Sequence, residues 1–582
     1  MIVDTIYLNW FEVEYLGKYI AEGDSIKFSE TISGTYNFKI DGFTGSDIKI
    51  FDITDPVNVV KIINNLTEQN TSDFTTKFSL TDGTISEQVK KNIIVFGPDK
   101  IKTPSSIVLD EPSLLKSPDN GADYIIITHE DFYDNVLPLA EYRAKEGLRV
   151  KTIKVTDIYD EFNYGIFDPS AIKDFLKYAY ENWEHPAPTY VLLVGGANED
   201  YKDNLKTGSK NYVPTHLYKS SEMGFTYSDN WFVSVTTDEN GNYDILPDMF
   251  VGRITKNGSD IDNIVKKIIN YEKNNKIKKW KKKVLFVADD DDVIFENVSN
   301  ELADDYLTDT FTSSKIYLSS YSDEEKLINK PREDIIKGIN EGFLITTYTG
   351  HGNKDKWGKV IDESDKYMFQ STDIPYLSNK GKETFVINFN CQTGLFAYLD
   401  GGYSLAEEFL RAEDKGAISV FAPSGLGYTS EHKILAEYLF NYLFSDNTSD
   451  LGFSTTEAKI KAYADGVSPT IVETFILFGD PALRLLTNDN LSIISEILPE
   501  GKARIPYFFT FEASGGKPPY RWEIIKGKLP AGLKLGRKKG EISGKPKKSV
   551  NYSFKIKLTD SGSPRRKIIK EFNIIIKSKK TL

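Results

Sequence analysis

Two apolar segments of strand length, residues 343–348 and 385–390, lie about forty residues apart in the chain. The first runs into Thr349-Gly350-His351-Gly352, and the second is followed directly by Cys391, the single cysteine of the sequence. In an open α/β sheet, the groups that face a ligand collect where strands end. A thiol at one such end and a glycine-flanked imidazole at the next indicate a Cys–His nucleophile pair.

The sequence pattern around these segments divides the 582 residues into four predicted parts. Residues 1–118 carry short alternating runs between Gly, Asp and Asn turns, which predicts an N-terminal β-rich domain. Residues 119–276 and 277–488 alternate strands with amphipathic helices, which predicts two parallel-sheet α/β subdomains. Residues 489–582 show short strands broken by Gly and Pro, a spacing typical of an Ig-like β-sandwich.

Charge is distributed unevenly along the chain, whose formal net charge is −13. Residues 491–582 hold 22 Lys and Arg against 7 Asp and Glu, a balance of +15 that leaves −28 for the remainder. Two interpretations of the basic end stay open: a solvated face, or a module that contacts polyanions at a cell surface. The acidic body argues against nucleic-acid binding.

The same composition limits the disulfide and metal chemistry, and it does not settle the compartment. One cysteine excludes an internal disulfide framework and any cysteine-based zinc site. The first residues lack a basic segment followed by an apolar one, so we expect no signal peptide in this sequence. No apolar run approaches the roughly 18 residues that a membrane span needs, so we expect no transmembrane segment.

An acyl-transfer site requires a base beside the nucleophile and amide N–H groups that face the developing oxyanion. The backbone N–H groups of Gly352 and Cys391 are the natural donors, because glycine leaves its amide accessible to a ligand. A buried, hydrogen-bonded histidine in a glycine-rich turn is the alternative for His351 alone. The thiol at the neighbouring strand end favours the catalytic interpretation.

These segments resemble the gingipain-type cysteine peptidases of the caspase-like clan. The resemblance rests on Tyr348 to Gly352 with Trp357 close behind, on Asn388 to Phe396, and on Ser404 to Ala412. It extends upstream through the run from Pro247 to Arg253, and it covers roughly residues 122–486. It implies a caspase-like α/β core, endopeptidase activity on protein or peptide substrates, and an extracellular or cell-surface location.

The resemblance also implies roles for single residues. Cys391 attacks the scissile carbonyl to give a thioester acyl-enzyme, and His351 acts as acid and then as base. In the run Asp289 to Asp292, Asp289 is expected to orient the imidazole, and Asp292 to line a P1 pocket that prefers basic residues. Trp357 is expected to form a wall of the substrate cleft. A solvated acidic turn or a cation site is the alternative for the aspartates.

A second acidic loop suggests a metal site. Asp238, Asn240, Asn242 and Asp244 offer oxygen ligands at alternate positions of a glycine-containing loop, as calcium requires. A plain β-turn explains the same residues, because no glutamate stands at the twelfth position. The β-turn is the preferred interpretation, and structural Ca²⁺ stays open as the alternative, because gingipain-type peptidases often hold calcium; we expect no cofactor for the chemistry.

The C-terminal runs Leu529 to Leu535, Gly540 to Pro546 and Tyr552 to Asp560 resemble Ig-like modules of bacterial surface proteins. Such modules serve as adhesive or spacer domains. Two alternatives to a peptidase therefore stay open at this point. One is a transpeptidase on the same fold, which passes the acyl group to an amine, and the other is a non-catalytic surface protein or adhesin built on a peptidase scaffold.

Overall fold

The computed structural model describes residues 17–82, 88–104, 107, 109, 112–237, 244–254, 257–273, 278–308, 311–361, 365–399, 402–444, 450–485, 491–493, 495, 497–514, 519–561, 565 and 567–578. The chain divides into two compact units, Met1–Glu111 and Pro112–Leu582. The division falls close to residue 118, where the sequence places its first boundary.

The first unit consists of antiparallel strands around a small apolar core. Its described strands are β1 (Ser25–Ile32), β2 (Gly34–Phe43), β3 (Lys49–Asp52), β4 (Val60–Ile62), β5 (Leu66–Gln69), β6 (Phe74–Asp82) and β7 (Val89–Phe96). They form one sheet in the order β1-β7-β3-β4 and a second in the order β2-β6-β5. Ile32, Ile40 and Ile50 are fully buried in this unit.

The second unit begins with an α/β core that alternates strands and helices. Its strands are β8 (Tyr124–Thr128), β9 (Val150–Lys154), β10 (Tyr190–Val194), β11 (His216–Ser220), β12 (Gly224–Ser228), β13 (Phe250–Ile254), β14 (Lys283–Ala288), β15 (Thr312–Tyr317), β16 (Ile345–Thr349), β17 (Gly352–Asn353), β18 (Lys356–Trp357), β19 (Thr384–Phe389), β20 (Ala417–Pro423) and β21 (Phe475–Phe478).

Helices cover both faces of the sheet that these strands form, as buried parallel strands require. They are α1 (Tyr133–Lys145), α2 (Val155–Asn163), α3 (Pro169–Asn182), α4 (Asn230–Val233), α5 (Gly258–Lys273), α6 (Val293–Glu301), α7 (Asp323–Leu327), α8 (Lys330–Glu341), α9 (Leu405–Arg411), α10 (Thr429–Phe444), α11 (Leu451–Ala464) and α12 (Pro469–Thr474). Among the described helices, none is long and apolar enough to cross a membrane.

Ten of the strands form one continuous sheet in the order β15-β14-β16-β19-β20-β21-β13-β10-β8-β9. The short strand β21 joins the two predicted subdomains, because it pairs antiparallel with β20 and parallel with β13. All five strands on the β15 side run in one direction, and those on the β9 side run in the other. The carboxyl ends of the two halves therefore lie at opposite edges of the sheet.

The C-terminal part is a small β-sandwich. Its described strands are β22 (Ser492–Ile493), β23 (Gly501–Lys502), β24 (Tyr507–Thr510), β25 (Ala513–Ser514), β26 (Arg521–Gly527), β27 (Leu533–Gly536), β28 (Glu541–Gly544), β29 (Val550–Thr559) and β30 (Lys567–Lys577). Sheets β23-β30-β29-β26 and β24-β28-β27 enclose a core that includes Trp522, Phe554 and Phe572. The predicted fold class, an α/β core between two β-rich parts, is confirmed.

Candidate active site

Strands β16 and β19 are neighbours in the sheet and bring the histidine and cysteine segments together. They pair in parallel with Thr349 opposite Phe389, so His351 and Cys391 each follow the same edge by two residues. Every residue of both strands is buried. The N–H of Gly350 donates to the carbonyl of Phe389 at 3.4 Å, which continues the contact into the loops.

Gly352 lies directly against the cysteine loop. A Cβ at this position would stand 2.4 Å from Nδ2 of Asn390 and 3.1 Å from the carbonyl oxygen of Cys391. A side chain at 352 would force the amide of Asn390 to move and would press on the carbonyl of Cys391. The close approach therefore explains the second glycine of the Gly-His-Gly motif as a packing requirement.

The imidazole of His351 stands above this contact and is open to solvent. Its side chain is 66% exposed, and Nε2 lies 3.8 Å from Oδ2 of Asp291. The ring packs edge-on against Phe295 of α6, with centroids 5.4 Å apart. One side of the imidazole is thus fixed by an aromatic ring and a carboxylate, and the rest can meet a ligand.

Asp289 supports the backbone of this loop rather than the imidazole. Its buried carboxylate accepts a hydrogen bond at 3.3 Å from the N–H of His351 and lies 3.3 Å from the hydroxyl oxygen of Tyr348. Burial, together with the nearby charge of Asp291, raises the pKa of Asp289 to about 6. The expectation that Asp289 orients the imidazole is corrected here, because Asp291 is the carboxylate that faces Nε2.

Asp292 begins helix α6. Its carboxylate accepts a hydrogen bond at 3.0 Å from the N–H of Ile294 and caps the helix, as aspartate often does. Asp292 is exposed and adjoins Asp291 in the chain. Its assignment to a P1 pocket stays a prediction.

The acidic run also offers oxygen ligands for a cation. Oxygens of Asp289, Asp290 and Asp291 lie within 4.8 Å of one another. The carboxylate of Asp290 already forms an ion pair with Lys326, whose Nζ lies 2.5 Å from Oδ2 of Asp290. A cation at this point would therefore compete with the lysine.

Cys391 is partly buried beneath the segment that follows β20. Its Sγ donates to the carbonyl of Gly427 at 3.8 Å, and the N–H of Gln392 donates to the carbonyl of Gly425 at 3.0 Å. Burial raises the pKa of the thiol above its ordinary value. The sulfur in this state carries its proton at neutral pH and needs a base before it can attack.

Trp357 lies below the site and not in a cleft wall. Its side chain has no exposed surface, and its ring stacks on Tyr348 with centroids 4.5 Å apart. Its Nε1–H donates to Oδ1 of Asn388 at 3.1 Å. The expectation that Trp357 contacts substrate is corrected, because its ring is fully buried against side chains of β16 and β19.

Asp238, Asn240 and Asn242 lie outside the described residues. Asp244, the fourth residue of the predicted calcium loop, accepts a hydrogen bond at 3.0 Å from the N–H of Leu246. That contact belongs to a local turn. Calcium binding stays a prediction.

The structure adds supporting residues to those that the sequence indicates. The hydroxyl of Tyr348 donates to the carbonyl of His351 at 2.7 Å and accepts from the N–H of Gly358 at 2.8 Å. Thr393 donates to Oδ1 of Asn390 at 2.8 Å, which turns the amide of Asn390 toward Gly352. Asp291 belongs to the acidic run Asp289 to Asp292, whereas no sequence signal marks the hydroxyl of Tyr348.

Comparison with known protein families assigns the α/β core and the C-terminal sandwich. The sequence profile of peptidase family C25 matches residues 117–486, more than half of the chain. The chain belongs to peptidase family C25. The match spans the whole α/β core, and an Ig domain family matches residues 499–574 of the C-terminal sandwich. The resemblance to gingipain-type peptidases is thereby confirmed.

Curated relatives in the C25 family include two gingipains of Porphyromonas gingivalis. Gingipain R2 is 24% identical over 392 aligned positions, and the match covers 62% of this chain and 46% of that protein. Gingipain R1 is also 24% identical over 392 residues, and the match covers 34% of its length. The chain thus spans less than half of the length of these relatives.

Solved structures agree on the fold. The crystal structure of the Arg-specific cysteine proteinase gingipain R superposes with a TM-score of 0.52 at 18% identity, covering 78% of this chain and 98% of that one. The complex of the pro- and mature domains of a P. gingivalis gingipain gives a TM-score of 0.50 at 16% identity, with 78% and 99% covered. At such identities the likeness describes the architecture of the C25 core.

Proposed function

We propose that this protein is a cysteine endopeptidase in which Cys391 is the nucleophile and His351 the general acid and base. The single observation that carries the proposal is the contact between the two loops at the ends of β16 and β19. A Cβ at Gly352 would stand 2.4 Å from the side-chain amide of Asn390 and 3.1 Å from the carbonyl oxygen of Cys391, so the two loops are in close contact. Membership of the C25 family supports the same assignment.

The raised pKa of the thiol decides how the first step runs. Cys391 gives its proton to the His351 imidazole as its sulfur attacks the scissile carbonyl carbon. The N–H groups of Gly352 and Cys391 stabilise the oxyanion. When the C–N bond breaks, His351 protonates the leaving amine. Water then cleaves the thioester, with His351 taking one proton from it and returning it to the sulfur.

Asp291 and Asp292 extend the proposal to orientation and specificity. Asp291 holds the imidazole through its carboxylate, 3.8 Å from Nε2. Asp292, one residue further, is the proposed ligand for an Arg or Lys side chain at P1. Gingipain R, with which the fold is shared, is described as Arg-specific, and that supports a basic preference.

We also propose that the protein works outside the cell or at its surface. The support is the resemblance to gingipain-type peptidases together with the Ig-like module that follows the core. Fractionation of the source cells with an antibody against the core tests this location. Protein confined to the cytosol would contradict it.

The catalytic proposal is tested by turnover of Arg and Lys peptides and by thiol labelling. Because Cys391 is the only cysteine, a thiol-directed peptidyl probe reports on this residue alone. We expect the native chain to be labelled and to cleave peptides, and Cys391→Ala to do neither while its thermal unfolding is unchanged. Turnover in the alanine variant would remove the proposal. Products formed with an added amine separate hydrolysis from transpeptidation.

A further inference from the structure

A large cleft opens beside the candidate nucleophile. It has a volume of about 710 Å³ and is lined by parts of hairpin β11–β12, hairpin β17–β18 and the segment that follows β19. Two lining residues are chain neighbours of the site: Gln392 follows Cys391, and Asn353 follows Gly352. The cleft therefore adjoins the loops that carry the proposed nucleophile and base.

The cleft carries net negative charge. Glu199, Asp355 and Glu408 line it, and the one cationic residue among the described lining residues is Lys354. Asp355 is 46% exposed, with the ammonium of Lys356 3.8 Å away. Glu408 lies 3.2 Å from Arg411, a residue that also pairs with Asp260 outside the cleft. The walls therefore favour a cation from solution.

Apolar groups line the same space. Phe225 on β12 is 65% exposed, and Tyr398 is 48% exposed. The sulfur of Met223 lies 3.8 Å from Nε2 of Gln392, which links the hairpin to the loop of Cys391. Carboxylates combined with exposed aromatic and thioether surface match a side chain that has an aliphatic stem and a cationic head.

We propose that this cleft is a substrate subsite that binds a Lys or Arg side chain close to the scissile bond. The inference rests on the proposed function, because it takes the cleft as a continuation of the Cys391 site. Asp292 is not among the described residues that line it. The protein thus has two separate acidic positions, and the preferred substrates carry two basic residues near the cleavage point.

Binding to the full-length Cys391→Ala protein tests the cleft without turnover. The probes are fluorescein-labelled octapeptides of alanine with one arginine, in which a second position carries lysine, norleucine or glutamate in turn. When the second position is the one that enters the cleft, we expect the lysine peptide to bind about fivefold more tightly than the norleucine peptide. This is the upper range for an exposed ion pair. Raising the salt concentration from about 0.05 M to about 0.5 M should reduce the preference, since exposed charges are screened.

Variants assign the preference to the cleft. Glu199→Gln with Glu408→Gln removes two carboxylates, and the glutamine at 199 can still accept the hydrogen bond from the Tyr227 hydroxyl, which is 2.8 Å long in the native chain. We expect this double variant to bind lysine and norleucine peptides equally. Glu413→Gln, just beyond α9, also removes a carboxylate and should keep the preference. Phe225→Ala should weaken both peptides alike, because both have the aliphatic stem.

The outcomes separate this inference from the proposed function. Equal binding of the lysine, norleucine and glutamate peptides at every position overturns the subsite. So does a lysine preference that survives in the double variant. Turnover of the same peptides by the native chain is scored independently. Turnover without a second basic preference keeps the peptidase and removes the subsite, whereas a lysine preference without turnover removes the peptidase and keeps a cation-binding cleft.

Discussion

The two halves of the sheet each place a histidine at the carboxyl end of a buried strand, and the two histidines differ in what surrounds them. His129 follows β8 directly, and His351 follows β16 by two residues. Both have carboxylates nearby: Asp131 lies 3.6 Å from His129, and Asp291 lies 3.8 Å from His351. Since the halves run in opposite directions, the two ends lie at opposite edges.

The imidazole of His129 is hydrogen-bonded and packed within the turn that it begins. Nδ1 accepts from the N–H of Asp131 at 3.1 Å, and the ring packs on Tyr212 and Phe132 with only 19% of the side chain exposed. His351 is more than three times as exposed and borders the loop that carries the thiol. A strand end and a carboxylate neighbour therefore do not by themselves distinguish the two histidines. The difference lies in the greater exposure of His351 and in its position beside the loop of Cys391.

Replacing each histidine by alanine is the strongest test of this contrast. We expect His351→Ala to lower kcat about 10³-fold, because it removes the base for the thiol and the acid for the leaving amine. His129→Ala should leave kcat unchanged within about twofold and lose about 1 kcal/mol of stability with its cap. Steady-state kinetics and thermal unfolding measure both. Equal losses of kcat in the two variants would contradict the distinction.

The glycines at the two edges offer a second contrast. Gly352→Ala places a Cβ against Asn390 and the backbone of Cys391, and we expect kcat to fall about 10²-fold as the oxyanion donor moves. Gly195→Ala, after β10, introduces a side chain at φ +139° and 2.9 Å from Cβ of Tyr212. That variant should lose stability while the remaining folded protein keeps its kcat. A Gly352→Ala enzyme with native kcat would exclude the donor role.

Much of this contrast could be predicted from sequence. Both strands are rich in β-branched and aromatic residues, which favour strands. The predicted segments 343–348 and 385–390 differ from the observed β16 and β19 by one or two residues at each end. Periodicity and turn residues also predict the fold class. The joining strand β21 has only four residues, all buried, and so short an apolar run could belong to a helix or a strand.

Which side chains surround His351 was harder to predict, because it depends on whether each residue points into the core or into solvent. Asp289 immediately follows β14, where its side chain points inward and becomes buried, while Asp291 lies two residues further in an exposed turn. Four consecutive aspartates give no signal for this difference. For Trp357, its proximity in sequence to His351 suggested the cleft, whereas its hydrophobicity correctly favours the core.

Burial of Asp289 makes the stability of the protein depend on pH. A pKa raised to about 6 means that stability from this group is fully present below pH 4 and is lost as pH rises through 6. The loss is on the order of 3 kcal/mol. Asp289→Asn should remove this component, and Asp131→Asn, at the exposed turn, should not.

The free energy of unfolding by urea, measured between pH 4 and 7 for the three proteins, checks this expectation. Subtracting the profile of each variant from that of the native chain isolates the contribution of one carboxylate. Other titrating groups, such as Glu272, whose pKa burial raises to about 7, cancel in the difference. If the free energy of unfolding of the native chain and of Asp289→Asn varied with pH in parallel, the carboxylate of Asp289 would be solvated and the expectation would be wrong.

The smallest expected effect concerns the carboxylates that face the two imidazoles. Asp291→Asn should lower kcat about two- to fivefold, since the pair is largely exposed and an exposed ion pair contributes at most about 1 kcal/mol. Asp131→Asn is the matched change beside His129 and should leave kcat unchanged. In about 0.5 M salt the deficit of Asp291→Asn should shrink, because screening weakens the native pair as well. A deficit that is insensitive to salt would mean that Asp291 positions the imidazole through packing and not through charge.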